Sequence, residues 1–154
     1  GTASLLCDAD NTTTGRIYHD FTNSTSGIVT VDYYLNIDDV SQSTYQGGLI
    51  ISDGDWSWQS GYVGFWRFWQ NGYFDETTEL YTGFLADTQY HIQIEIDIDN
   101  QTYDLYIDDS LEADDQAWQD LTISAINRVT FNISSNNAVD HWYDELLIYT
   151  GTRQ

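Results

Sequence analysis

Lysine, proline and methionine are absent from this chain, and cysteine occurs once. Without lysine, the basic side chains reduce to four arginines against 25 acids, a formal net charge of −21 at pH 7. So few cations cannot neutralise a run of phosphates, which excludes nucleic acid as a partner and sets an anionic membrane aside as well. No apolar run approaches the roughly 20 residues that span a bilayer. A lone Cys7 allows no intrachain disulfide. With no linker-like composition and no internal repeat, residues 1–154 read as a single domain.

What the chain does have is aromatic and apolar. Hydrophobic residues make up 41%, with 6 Trp, 12 Tyr and 6 Phe, enough for a core in spite of the charge. Aspartate dominates the acids, a bias toward turns and oxygen-rich cation sites. The partners this charge admits are neutral molecules or cations.

Alternation is the main structural signal. In IVTVDYYLNI, residues 28–37, Val29, Val31, Tyr33, Leu35 and Ile37 share one face while Thr30, Asp32, Tyr34 and Asn36 share the other. YHIQIEIDI, residues 90–98, places Tyr90 and four isoleucines opposite His91, Gln93, Glu95 and Asp97. A polar turn then leads into TYDLYID, so 90–108 reads as a hairpin. RVTFNIS repeats the period, and further strands are expected at 16–21, 47–52, 61–69, 79–84 and 141–149. Only 112–121 is compatible with a helix, and a loop serves there equally well. The expected fold is all-β, an antiparallel two-sheet sandwich.

QIEIDIDNQTYDLYID, residues 93–108, resembles the paired strands of laminin-G-like and concanavalin-A-like jelly rolls, and HWYDELLIY, residues 141–149, resembles their closing strand. With GIVTVDYYLNI, the resemblance covers about two thirds of the chain. It implies a secreted, non-catalytic carbohydrate-binding module, joined to a catalytic domain that degrades the polysaccharide it binds.

The segment DWSWQSGYVGFWRFWQNGYF, residues 55–74, carries the functional signal: four of the six tryptophans lie within it. Sugar rings pack their C–H patches on indole and phenol faces and need polar groups beside them. Trp56, Trp58, Trp66, Arg67, Trp69 and Tyr73 are the ligand-binding candidates of this segment, although Trp66 suits a core position equally. The polar strand faces add Tyr34, His91, Gln93, Arg128 and Asn132, which would form one surface if their strands were neighbours. The net charge argues against a strongly anionic glycan unless Arg67, Arg128 or bound calcium creates a local exception; a neutral polysaccharide is the simpler partner.

Two carboxylate patterns remain. Glu95, Asp97 and Asp99 at alternate positions resemble the Glu, Asp, Glu signature of laminarinase-type glycoside hydrolases, but Asp99 is one methylene short of the acid required. Asp144 shares a strand parity with Trp142, Leu146 and Ile148, and a carboxylate among apolar neighbours calls for a cation such as Ca²⁺. The jelly-roll resemblance implies a structural calcium between the first and last strands, with Asp20 and Asp140 as the partners of Asp144. The competing readings are a small glycoside hydrolase or polysaccharide lyase built on Glu95 and Asp97, and a structural or adhesion domain of a cell-surface protein.

Overall fold

The alternation in residues 28–37 and 90–98 is realised as two adjacent central strands. The computed structural model describes residues 5–7, 15–41, 45–57, 60–75, 78–133 and 140–152, by backbone alone at 5–7, 15, 45, 55–57, 60 and 133. Within them run β1 (Leu5–Cys7), β2 (Gly15–Ser24), β3 (Ile28–Ile37), β4 (Tyr45–Ser57), β5 (Ser60–Trp69) and β6 (Gly72–Asp75). They are followed by β7 (Thr78–Thr82), β8 (Thr88–Asp97), β9 (Thr102–Ile107), β10 (Ser110–Ala117), β11 (Ile126–Ile133) and β12 (His141–Thr150). No helix occurs among the described residues, so none is long and apolar enough to cross a membrane. The stretch left open between helix and loop is largely the acidic strand β10.

The strands form two six-stranded antiparallel sheets, a jelly-roll sandwich: β1-β12-β3-β8-β9-β10 and β2-β11-β4-β5-β6-β7. In the first sheet β3 and β8 pair over their whole length, from Ile28 opposite Asp97 to Ile37 opposite Thr88. Their inward faces, including Val31, Tyr33, Leu35, Ile92, Ile94 and Ile96, are fully buried. Each aliphatic side chain so buried contributes roughly 1.5–3 kcal/mol. The expected hairpin is present: Asp97 ends β8, and its two carboxylate oxygens accept the Asn100 backbone N–H at 3.0 Å and side-chain amide at 2.8 Å. These donors hold the Asp97 carboxyl below its usual pKa.

Side chains of both sheets meet in one core. Trp66 and Tyr103 cross it edge to face at 5.0 Å, and the Tyr103 hydroxyl donates to Asp75 Oδ2 at 2.7 Å. Tyr33 and Tyr73 share a hydrogen bond between their hydroxyls at 3.0 Å, and Phe68 stacks on Tyr73 at 4.5 Å. Burial drives the Tyr33, Tyr73 and Tyr103 hydroxyls well above the usual phenol range, so all three stay protonated donors.

Two irregularities decide which residues face outward. In β5, Ile51 pairs with Gly64 while Ser52 pairs with Tyr62, so one extra residue sits on β5. Val63 therefore joins the main core with Trp66 and Phe68, while Tyr62 and Phe65 pack with Ile50 in a second cluster on the other face of that sheet. In β12, Asp144 pairs with Tyr34 and Leu147 with Asp32, again with one residue too many, and Glu145 adopts φ 52°. That bulge puts Trp142 and Asp144 on the outer face with Leu147. Leu146 and Ile148 turn inward and pack against the core. The expectation that Asp144 lies among Leu146 and Ile148 is corrected accordingly.

Candidate functional site

The outer face of the first sheet offers the polar side of every strand. Across β12, β3 and β8, Trp142 stands opposite Asn36, itself opposite Gln89, and Asp144 stands opposite Tyr34, itself opposite His91. Trp142, Asn36, Gln89, Asp144 and Tyr34, joined by Asp87 from the turn before β8, line a depression of about 350 Å³. The volume is within the range of small-ligand sites. Trp142 and Tyr34 are half-buried, leaving part of each ring available.

Behind Tyr34 the site is fixed by a polar network. His91 stacks on the Tyr34 ring with centroids 4.7 Å apart and planes 18° apart. Its Nε2 meets Asp32 Oδ1 at 2.7 Å, and Gln93 Nε2 donates to Asp32 Oδ2 at 2.8 Å. The His91 backbone is pinned to the next loop by its N–H to Asp108 Oδ1 and by the Asp108 N–H to its carbonyl, both 2.9 Å. Asp32 and Gln93 are buried, so His91 and Tyr34 are held from below rather than free to swing.

Of the aromatic segment, two candidates are corrected. Trp66 and Tyr73 have no exposed surface, because both point into the core between the two sheets. Trp69, at the end of β5, is 44% exposed. Arg67 lies over the Phe65 ring at 4.5 Å. The Trp56 side chain and the whole of Trp58 lie outside the described residues.

Arg128 and Asn132 do not share a surface with Tyr34, His91 and Gln93. They belong to β11, in the other sheet, and point out from its opposite face. There Arg128 Nε and Nη2 bind Asp20 Oδ1 and Oδ2 at 2.5 and 3.1 Å, and its Nη1 donates to the Gly54 carbonyl at 2.7 Å. It also covers the Tyr18 ring at 4.5 Å. Asn132 is buried on that face. The guanidinium that could have received a uronate is engaged by Asp20.

The expected calcium ligands are likewise separated. Asp20 lies on β2, its carboxyl held below the usual range by the Arg128 hydrogen bonds, and it faces away from the second sheet. Asp144 faces away from the first sheet, where its Oδ1 accepts the Glu145 N–H of the bulge at 2.9 Å. Asp140, just before β12, donates its backbone N–H to Asp38 Oδ1 at 2.9 Å. Asp104, Asp114 and Asp115 instead bring ligand oxygens within 4.8 Å of one another, and among the described residues these three could hold a divalent cation. Burial and the neighbouring acids raise the Asp104 carboxyl above its usual pKa. Alternation predicts outward carboxylates on β8 but not how β9 and β10 converge, so these three residues were missed.

The glycanase signature is not assembled. Glu95 and Asp97 point from the outer face of β8, but Asp99 lies past its end and accepts the Gly27 N–H at 3.0 Å. Glu95, Asp97, Asp104 and Asp115 rim a pit of only about 70 Å³, room for about two waters rather than a sugar ring.

No protein-family model matches the sequence, and neither does any curated protein. Solved structures do. A sialidase is similar with a TM-score of 0.71 at 10% identity, over 96% of this chain and 15% of the sialidase. A family 7 alginate lyase, A1-II', in complex with product, is similar with a TM-score of 0.65 at 10% identity, over 98% of this chain and 80% of the lyase. The carbohydrate recognition domain of Emp46p, in a potassium-bound form, is similar with a TM-score of 0.59 at 12% identity, over 97% of this chain and 89% of that domain. At these identities the likeness shows the fold alone, a two-sheet antiparallel jelly roll.

Proposed function

We propose that this protein is a non-catalytic carbohydrate-binding module whose glycan seat is the depression on the outer face of the first sheet. The observation that carries the reading is the flanking of that depression by Trp142 and Tyr34, with Asn36, Asp87, Gln89 and Asp144 between and beside them. Rings that offer flat faces and amides and carboxylates that meet hydroxyls are the two kinds of group a sugar requires together. The likeness to a carbohydrate recognition domain and to polysaccharide enzymes supports the same class. A hydrolase or lyase reading has less behind it, because Asp97 and Asp99 serve turn hydrogen bonds and no described arginine lies on this sheet to neutralise a uronate. In this reading the module is secreted and brings an attached polysaccharide-degrading domain to its substrate.

A glycan array followed by affinity electrophoresis, run with and without EDTA, tests the proposal. Binding to at least one polysaccharide is expected, and Trp142→Ala should weaken it about fivefold to tenfold, the loss of one stacking ring. The melting temperature should stay nearly constant, since Trp142 lies outside the core. A silent array, or unchanged affinity in Trp142→Ala, rejects this seat. The EDTA arm reads whether calcium contributes.

A further inference from the structure

We propose that the depression selects glycans bearing protonated amino groups, a refinement that rests on the carbohydrate-binding reading above. Aromatic and amide walls serve any sugar, whereas carboxylates among the walls favour a cation. Asp87 and Asp144 both line the site, and none of the described arginines belongs to that sheet. A hydroxyl donates and accepts, so neutral amides satisfy it; an ammonium only donates, and gains most from charged acceptors. The electron-rich faces of Trp142 and Tyr34 attract a cation placed over them as well as the C–H patches of the ring.

The surroundings extend the same preference. Farther along β8 and β9 from the depression, Glu95 and Asp104 point out from the same face, so a polymer of amino sugars laid along these strands remains in negative potential. The described arginines lie on the second sheet instead. Arg16, Arg67 and Arg128 all point from its outer face, and the Arg128 guanidinium is held by Asp20 and the Gly54 carbonyl.

Calorimetry in mildly acidic, low-salt buffer, with chitosan, chitin and cello-oligosaccharides of one length, decides the matter, because the three share a backbone linkage and differ at one ring position, which carries an ammonium only in chitosan and a neutral acetamide or hydroxyl in the others. The chitosan oligomer is expected to bind about tenfold more tightly than the other two, with the preference fading as NaCl is raised. Asp87 has φ 56°, a conformation asparagine also adopts, so Asp87→Asn removes charge without backbone cost. Asp87→Asn and Asp144→Asn should each weaken chitosan binding about fivefold. Glu79→Gln, which removes one charge from β7 in the second sheet, should leave it unchanged. Equal binding of all three oligomers overturns the amino-sugar preference and leaves the carbohydrate reading standing. An equal loss in Glu79→Gln shows attraction to net charge and overturns the site. Binding of none, together with a silent glycan array, removes the carbohydrate reading itself.

Discussion

His141 makes the fold sensitive to acid. It is completely buried, edge-on to Phe68 at 5.3 Å, with Nδ1 and the Tyr143 hydroxyl 3.1 Å apart. Burial lowers its pKa from 6.5 to about 3, so the folded protein keeps this imidazole neutral. The unfolded chain takes up a proton below pH 6.5, the folded one only near pH 3. Stability is therefore complete above the first value and falls across that window by up to about 1.4 kcal/mol per pH unit. Urea denaturation at a series of pH values should show this slope, and His141→Phe should remove most of it. A slope unchanged in the variant would place the acid sensitivity elsewhere.

At the scale of the strand, glycine and bulges control where the large rings go. A Cβ at Gly64 would sit 2.6 Å from the Trp66 indole, and one at Gly48 would sit 2.1 Å from the Trp66 carbonyl oxygen. Both glycines let β4 and β5 close around Trp66. Gly64→Ala should cost about 1–3 kcal/mol of stability, read as a lower urea midpoint, because the indole has no free space to retreat into. A neutral effect would mean that Trp66 is less tightly held than its burial implies. The strands themselves were legible where alternation is long and aliphatic, as in β3, β8 and β9. β6 has only four residues and β10 is acidic, so neither gives a period strong enough to read. Parity failed at the bulges in β5 and β12, since Glu145 carries no sequence sign of its positive φ and one inserted residue reverses every face beyond it. That reversal is why Tyr62 does not share the face of Trp66, and why Asp144 stands on the open surface.

At the scale of the whole molecule, the partition of strands between sheets determines the site. Outward orientation of Tyr34, His91, Gln93, Arg128 and Asn132 follows from alternation alone, but the sheet to which each strand belongs is set by pairings far apart in sequence. β3 and β8 are neighbours, whereas β11 lies between β2 and β4 on the other layer. The density of aromatic residues in 55–74 pointed to rings at a surface, yet a sandwich of this size spends Trp66, Phe68 and Tyr73 on its interior. Trp142, far from that segment in the sequence, is a ring the fold leaves beside a depression. Indole N–H resonances report this partition directly, because each tryptophan gives one signal in a ¹⁵N-correlated spectrum and single substitutions assign them. On titration with a bound oligosaccharide, the account predicts a large shift of the Trp142 signal with those of Trp66, Trp118 and Trp69 unmoved. A shift at Trp69 with Trp142 silent would place the glycan on the opposite sheet and contradict it.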